Sequence, residues 1–274
     1  MNKISAFSIL SMTLAAALVV GCARGEQEVL SQGNCIPRKN FHGIVGGSTV
    51  RASESSSKNA VLITYDDSQG KPMICTGTLI ARNAVITAAH CAYDATNVRV
   101  VFHTDVTCES DFNLDTQSIR ATHKNINPSY RPNIKGAYDL ALYKLAANAP
   151  SNYPVMPLYN GITKLSNYKV TLLGYGTTGS TKRDSMFLRK VTKNYKMFKR
   201  DGLNLSLDQS DKQGICVGDS GGPVYFDVEG QLHLAGVNSV VYGKNENSRC
   251  EGGSMSMYVP SYRSWIDRVL LSWK

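Results

Sequence analysis

Short apolar segments separated by turn residues make up most of the chain after residue 44. Each segment has the length of a β-strand or of two adjoining strands, with glycine, asparagine and aspartate between them. The segments are residues 60–67, 77–91, 98–105, 140–145, 169–176, 221–226 and 232–242. Such spacing predicts an all-β fold, built as a sandwich or as barrels.

The C-terminal segment, residues 260–274, follows a different pattern. Its large apolar side chains recur at helical spacing, at Tyr262, Trp265, Ile266, Val269, Leu270 and Trp273. This spacing predicts one amphipathic helix that packs its apolar stripe on the body of the protein.

The N-terminal segment has the pattern of an export signal. Lys3 precedes an apolar run from Ala6 to Val20, which is short for a stable membrane span. The run ends in the sequence VVGC, which resembles a bacterial lipobox, so we expect a lipoprotein signal peptide at 1–21 and a lipid on Cys22. The alternative is an ordinary signal with a chance cysteine. Residues 22–43 are polar and aperiodic, and we interpret them as a tether or pro-segment.

Cysteine count and charge narrow the class of protein. The chain has 274 residues, seven of them cysteine, and lipidation of Cys22 leaves six, an even number suited to three disulfides outside the cytoplasm. No pair has the spacing of a zinc site, and we expect no cofactor or metal. The net charge is +9, yet basic residues are spread along the chain. We therefore expect no nucleic-acid partner, and we interpret the one basic run, residues 189–200, as a solvated strand face.

An acidic cluster between residues 105 and 115 allows two interpretations. Asp105, Glu109, Asp111 and Asp115 supply oxygen atoms that suit calcium. Their spacing matches no defined calcium motif, so a solvated acidic loop is the favoured interpretation.

Three further motifs carry residues suited to acyl-transfer chemistry. In CVGDSGGP (216–223), glycines flank Ser220, so that backbone N–H groups of Gly218 and Ser220 can approach a developing oxyanion. TAAHC (87–91) supplies His90, a base of suitable pKa for a weak hydroxyl nucleophile. Asp139, in AYDLALYKL (137–145), can orient the imidazole.

With IVGG at residues 44–47, these motifs give the chain its resemblance to a known family. IVGG, TAAHC, DLAL and GDSGGP stand in the order found in chymotrypsin-like (trypsin-fold, S1) serine proteases of the secreted bacterial type, and the resemblance covers residues 44–274. It implies a protease domain of two six-stranded antiparallel β-barrels with a C-terminal helix. It also implies a catalytic triad of Ser220 as nucleophile, His90 as base and Asp139 as orienting carboxylate, with Gly218 and Ser220 forming the oxyanion hole.

The resemblance also implies disulfides and a specificity pocket. Cys75–Cys91 and Cys216–Cys250 match family pairs, and the remaining Cys35 and Cys108 are then inferred to pair with each other. Gly214 stands where tryptic enzymes carry an acid, so the pocket is expected to be neutral. Substrate-binding residues are expected at Gly214, Ile215, Ser239, Val241 and Ser256, with Ser239 also supporting the aspartate. Together they favour a small or medium apolar P1 side chain. The ten residues between Ser239 and Cys250 are more than the family usually has, which leaves the Val241 assignment open and allows Lys244 or Arg249 to lie near the cleft.

Activation follows from the same resemblance. A cut before Ile44 would create an α-amino group that pairs with Asp219, which orders the oxyanion loop. The residue before the cut is Gly43, so a trypsin-like activator is not indicated. We expect an exported, lipid-anchored or released serine endopeptidase whose partners are protein or peptide substrates, an activating protease and a membrane. The rival hypotheses are a catalytically silent homologue that acts as a binding module, and a structural envelope lipoprotein.

Overall fold

The structure is a computed structural model. It describes residues 44–51, 53–54, 59–107, 110–134, 136–161, 169–181, 184–194, 198–243 and 245–274. The signal peptide, the tether and the cysteines Cys22, Cys35 and Cys108 lie outside the described residues. No helix within the described ranges is long and apolar enough to cross a membrane.

Six strands form a closed barrel in the N-terminal half of the fold. Their order around the barrel is β2-β3-β4-β7-β6-β5, with every neighbouring pair antiparallel. The strands are β2 (Ala60–Asp66), β3 (Pro72–Ala81), β4 (Ala84–Thr87), β5 (Thr96–Val101), β6 (Ser118–Ile126) and β7 (Ala141–Leu145). This barrel confirms the first of the two barrels expected from the sequence, and closure leaves it no free edge.

The second unit is an eight-stranded antiparallel sheet where a six-stranded barrel was expected. Its order is β1-β9-β8-β12-β13-β14-β11-β10. The strands are β1 (Ser48–Thr49), β8 (Lys169–Gly174), β9 (Arg189–Asn194), β10 (Phe198–Arg200), β11 (Asn204–Asp208), β12 (Pro223–Val228), β13 (Gln231–Tyr242) and β14 (Gly253–Tyr258).

The two ends of this sheet lie close together in space. β9 ends at Asn194 and β10 begins at Phe198, near opposite ends of the strand order. Four residue steps span at most about 14 Å, so the sheet must curl towards a barrel. The count of eight arises because β1 adds an edge and β9 and β10 are separate strands.

The C-terminal helix is confirmed. A 3-10 helix at Val259–Tyr262 leads into α1 (Arg263–Ser272), which buries Trp265, Ile266 and Val269. These side chains join a core cluster that also contains residues of both sheets, such as Leu142 and Tyr225. The Lys144 ammonium donates to the Trp273 carbonyl oxygen at 2.8 Å, which ties the end of the helix to β7.

Strand β9 corrects the interpretation of the basic run as a solvated face. Arg189 and Lys193 are only 1% and 3% exposed, because their side chains lie on the buried face of the second sheet. Lys193 donates two hydrogen bonds to the Asp211 carboxylate, at 2.5 and 2.6 Å. Lys190, on the other face, pairs with Glu54. A carboxylate partner therefore allows the Lys193 cation to be buried on a strand that was expected to be solvated.

Candidate active site

His90 and Asp139 are joined by two hydrogen bonds. His90 lies in a 3-10 helix, Ala89–Cys91, directly after β4, and Asp139 precedes β7, which pairs with β4. The His90 Nδ1 atom lies 2.7 Å from Asp139 Oδ2, and the His90 backbone N–H donates to Oδ1 at 2.9 Å. The Ser239 hydroxyl donates to Oδ2 at 2.5 Å. These three bonds fix the carboxylate and hold the imidazole in one orientation.

The environment of Asp139 favours its charged form. Burial, with 2% of the residue exposed, opposes ionisation. The hydrogen bonds from His90 and Ser239 outweigh burial and lower the pKa of the Asp139 carboxyl below its ordinary value. An ionised Asp139 accepts the Nδ1 proton, which leaves the His90 Nε2 lone pair facing the cleft.

Ser220 opens on the same cleft as His90. The cleft has a volume of about 820 Å³, and His90, Asp139, Gly218, Ser220 and Ser239 contribute to its lining. Among the described residues, the Ser220 hydroxyl makes no hydrogen bond to His90, and such bonds often tighten only when substrate binds. Only glycine fits at position 221, directly after the serine. Its φ is +79°, and a Cβ there would lie 2.0 Å from Thr87 Oγ1.

The backbone amides of Gly218 and Ser220 are the groups expected to bind the oxyanion. The Val217 carbonyl accepts a hydrogen bond from the Thr177 N–H at 2.8 Å. Since the C=O and N–H of one planar trans peptide point in opposite directions, the Gly218 N–H is turned away from Thr177. Within the part of the chain that the structure describes, the amides of Gly218 and Ser220 donate to no acceptor.

Thr76 is a supporting residue that the sequence did not reveal. It is fully buried on β3, and its hydroxyl donates to the Gly218 carbonyl at 3.0 Å and accepts from the Tyr175 N–H at 3.1 Å. The Thr76 N–H donates to the Ser220 carbonyl at 2.8 Å. One residue of the closed barrel thus fastens the turn that carries both Gly218 and Ser220. No local motif marks it, because its partners are about a hundred residues or more away in sequence.

Asp219 holds the base of the same turn. Its carboxylate accepts from the Gly176 N–H and the Cys216 N–H, both at 2.8 Å, and is fully buried. Glycine is required beside it, since a Cβ at Gly174 would lie 2.0 Å from Asp219 Oδ1. Burial raises the pKa of the Asp219 carboxyl to about 7, although the two amides and the Arg189 guanidinium lower it.

Ile44 is buried close to the segment that precedes this turn. Its side chain is fully buried in a cluster that includes Ile215 and Leu172. Val45 forms an antiparallel bridge with Gly214, whose N–H donates to the Val45 carbonyl at 3.0 Å. The backbone of Ile44 has φ +44°, which is unusual for a β-branched residue.

The trypsin family profile matches residues 44–266. The chain belongs to the trypsin family. Chymotrypsin-like elastase family member 1 of Bos taurus is 27% identical over 252 residues, which cover 84% of this chain and 90% of the relative. Mast cell protease 2 of Ovis aries is 29% identical over 242 residues, covering 82% and 91%. The chymotrypsin-like family expected from the sequence is confirmed, but its bacterial type is not shown, because these relatives are animal proteins. The protein is a serine endopeptidase.

Solved structures support the trypsin fold. HL collagenase superposes with a TM-score of 0.66 at 22% identity, covering 83% of this chain and 98% of that one. The structure of GrC gives 0.67 at 21% identity, covering 83% and 99%. At these sequence identities the structural similarity supports the fold alone. The fold consists of a closed barrel, a second sheet and a short C-terminal helix.

The described disulfides are those that the trypsin-family resemblance implied. Cys75–Cys91 joins β3 to the His90 helix, and Cys216–Cys250 joins the Ser220 loop to the segment after β13. Each bond contributes about 2–4 kcal/mol by restricting the unfolded chain. Although His90 lies close to Cys75 and Cys91, the disulfide leaves those sulfurs without the thiolate that a metal requires.

The cleft beside Ser220 has an apolar wall, and Arg249 also contributes to the lining of the cleft. Ile215, Val217, Val240 and Val241 contribute apolar surface, and Ser239 stands beside them. Of the five residues expected to bind substrate, Gly214 and Ser256 do not line the cleft. Ser256 is buried and its hydroxyl donates to Asn238 Oδ1, while Ser254 is the β14 residue that pairs with Val241.

Gln209 is a second support that the sequence did not reveal. It is fully buried, its Oε1 accepts from the Ile215 N–H at 3.0 Å, and its Nε2 donates to the carbonyls of Ile215 and Cys250. The side chain fills the space that a Cβ on Gly214 would need, with the Gln209 Cδ atom at 2.3 Å. Gln209 therefore joins two walls of the pocket.

The acidic cluster gives no calcium cage among the described residues. Asp111 lies 3.0 Å from the His103 ring, and Asp115 lies 3.5 Å from the Arg99 guanidinium. Asp105 Oδ1 accepts from the N–H and hydroxyl of Thr107. The carboxylates thus turn to separate partners.

The raised pKa of Asp219 predicts a pH dependence of stability for the uncut chain. The carboxyl binds a proton more tightly in the folded protein, at about 7, than in the unfolded chain, at about 3.9. Stability is therefore greatest below the unfolded pKa and falls as pH rises towards the folded pKa. Between pH 5 and pH 8 the loss should be about 2–3 kcal/mol.

Chemical denaturation of uncut wild type and Asp219→Asn across this pH range measures the effect. The difference between the two curves should change with pH, because other titrating groups cancel. The charged groups that act on Asp219 from neighbouring segments, Arg189 and Asp184, are common to both proteins. Parallel curves would contradict the prediction.

Proposed function

We propose that Ser220, His90 and Asp139 form the catalytic triad of this endopeptidase. The observation that carries the proposal is the fixed Asp139–His90 pair, with bonds of 2.7 and 2.9 Å, opening on the cleft that contains Ser220. Asp139 accepts the Nδ1 proton, so that Nε2 is the basic atom. His90 Nε2 takes the proton of the Ser220 hydroxyl as Oγ attacks the substrate carbonyl carbon.

The negative charge then develops on the substrate oxygen. The N–H groups of Gly218 and Ser220 stabilise it, supported by Thr177 and Thr76, which hold the turn from behind. His90 returns the proton to the leaving amine as the C–N bond breaks, leaving an acyl-enzyme. A water molecule then gives a proton to His90 Nε2 as its oxygen attacks the acyl carbon. The bond between this carbon and Ser220 Oγ breaks, the proton returns to Oγ, and the acid product leaves.

The enzyme is made as a zymogen that a cut between Gly43 and Ile44 activates. The cut creates an α-amino group on Ile44, whose side chain lies in the same cluster as Ile215, near the Asp219 turn. A buried Asp219 carboxylate gains most from a cation, since burial otherwise opposes its charge. The cut also removes the carbonyl that restricts φ at Ile44, where +44° costs about 1–3 kcal/mol.

Active-site labelling tests the triad. A fluorophosphonate probe should label the cut protein at Ser220, because the activated hydroxyl attacks the phosphorus centre, and cutting should raise the labelling rate. Ser220→Ala should abolish labelling. Ser151→Ala, an exposed serine outside the cleft, should leave the rate unchanged. Labelled peptides are identified by mass spectrometry. Correctly cut wild type that takes no label would favour the catalytically silent binding module instead.

The enzyme prefers a small or medium apolar P1 side chain. The support is the apolar lining by Ile215, Val217 and Val241, with glycine at position 214 where tryptic members carry an acid. A basic P1 group would lose its hydration without gaining a carboxylate partner from Ile215, Val217 or Val241.

Widening the pocket should shift this preference. Val241→Gly removes apolar volume from the wall, so kcat/KM for a P1 phenylalanine substrate relative to P1 alanine should rise about tenfold or more. Val155→Gly, which removes a partly exposed valine away from the cleft, should leave the ratio unchanged. Peptide substrates that differ only at P1 provide the measurement. An unchanged ratio in Val241→Gly would place the P1 side chain elsewhere.

The protein is exported as a lipoprotein of bacterial type, with diacylglyceryl on Cys22 and a Cys35–Cys108 disulfide. The support is the VVGC sequence after the apolar run and the even number of remaining cysteines. With that disulfide, a cut before Ile44 leaves the protease tethered through Cys22.

Intact-mass analysis of protein extracted from membranes, before and after reduction, tests this anchoring. Lipidation predicts a chain that begins at Cys22 and is heavier by the acyl groups, and Cys22→Ala should appear without them. After the cut, the pro-segment should separate only on reduction. Unmodified protein beginning at another residue would refute the lipid anchor, and separation without reduction would refute the disulfide.

A further inference from the structure

The oxyanion turn depends on a carboxylate that is buried before any cut is made. Asp219 has no exposed surface, and burial opposes its charge. In a zymogen, the Ile44 amine is still an amide and carries no charge. A second cation within reach would therefore decide how well the turn is formed in the uncut chain.

The strand register brings Arg189 to the face of the sheet on which Asp219 lies. Arg189 of β9 stands directly opposite Gly174 of β8 in their antiparallel pairing. Side chains of directly opposed residues leave the same face of a sheet, with Cβ atoms about 5 Å apart. The position that a Gly174 Cβ would take is filled by the Asp219 carboxylate, whose Oδ1 lies 2.0 Å from it. The base of the Arg189 side chain thus lies beside this carboxylate.

Arg189 is held in place by contacts of its own. It is 1% exposed, its Nη1 donates to the carbonyls of Asp184 and Phe187 at 3.3 and 3.4 Å, and its Cζ lies 5.0 Å from the centre of the Phe187 ring. Its charge attracts the Asp219 carboxylate, while the Asp184 carboxylate repels it. Because a guanidinium stays protonated in proteins, this attraction exists whether or not the chain is cut.

Asp219 transmits this attraction to the reacting centre. Its two oxygens accept from the Gly176 and Cys216 N–H groups, one on each side of the turn. The next residue after Gly176, Thr177, holds the Val217 carbonyl and so directs the Gly218 N–H. An ionised Asp219 accepts these bonds more strongly than a neutral one.

We propose that Arg189 is a positioning residue that serves as the resident counter-charge of Asp219 and keeps the oxyanion turn largely formed in the uncut chain. The inference rests on the proposed triad and on the proposed activation at Ile44. It assigns the uncut protein a measurable reactivity at Ser220. The cut then adds a second cation to a turn that is already partly ordered.

Labelling of the full chain with and without the cut tests the role of Arg189. At pH 8, the uncut wild type, with its intact Gly43–Ile44 bond confirmed by mass, should react with a fluorophosphonate probe. Arg189→Met should lower the labelling rate of the uncut chain by about tenfold or more. In the cut chain the loss should be clearly smaller, since the Ile44 amine supplies a charge. Arg189→Lys, which keeps the charge, should restore much of the rate in the uncut chain.

Lys190→Met is the matched control. It removes a cation from the same strand, but on the face that pairs with Glu54, so the labelling rate should not change. An equal loss in cut and uncut Arg189→Met would assign Arg189 a structural role only, and no loss would refute the inference. Cut wild type that fails to label would refute the proposed triad, whereas labelling only after the cut would refute the inference alone.

A double-mutant cycle of thermal unfolding tests the pairing when Arg189→Met is unstable. Removing one partner of a buried pair leaves an uncompensated charge, and removing both relieves it. The melting temperature of Asp219→Asn/Arg189→Met should therefore exceed the value expected from adding the two single changes. If Arg189→Met alone does not fold, the double variant should recover folding. Additive shifts, or no recovery, would contradict the pairing.

Discussion

The burial of the Asp219 carboxylate is the constraint on which the active-site region depends. The N–H groups of Gly176 and Cys216 both donate to this carboxylate, so the strand end after β8 and the turn before Ser220 are fixed together. Glycine at 174 and 176 follows from this, because a Cβ at either position would lie within 2.7 Å of the aspartate. Thr177 and Thr76 can then reach the carbonyls of Val217 and Gly218. The direction of the Gly218 N–H is therefore a consequence of where one charge is buried.

Strand β9 supplies cations along the segment that leads to this turn. Lys193 bonds to the Asp211 carboxylate and, at 2.9 Å, to the Gln213 carbonyl, near the beginning of the segment 211–219. Arg189 lies nearer its end, beside Asp219. Because Lys193 is buried and bonded to Asp211, moving this segment away would leave a buried charge unpaired, which is costly. A strand can thus impose order on a loop by electrostatics where apolar packing alone would allow several loop conformations.

The sequence predicted the features that depend on neighbouring residues. The motifs around His90, Asp139 and Ser220 are local, so their roles follow from a few adjacent side chains and from order along the chain. Short apolar segments between turn residues predicted several of the strands, and helical spacing predicted α1. Thr76, Thr177 and Gln209 were not predicted, because each acts through contacts that depend on strand register. The burial of Arg189 and Lys193 was predicted wrongly. A strand pattern shows which residues share a face of the sheet, but it does not show whether other segments bury that face.

The glycine at position 214 is coupled to the packing of its neighbours. Gly214 has φ +154°, a backbone conformation that side chains rarely adopt, and its missing side chain would point at Gln209. Gln209 cannot retreat without breaking its bonds to Ile215 and Cys250. The side chain of an acid at position 214 would therefore collide with Gln209 instead of projecting into the cleft. A change to tryptic specificity would require Gln209 and the apolar residues of the cleft to change together with Gly214, since a carboxylate at position 214 alone has no room.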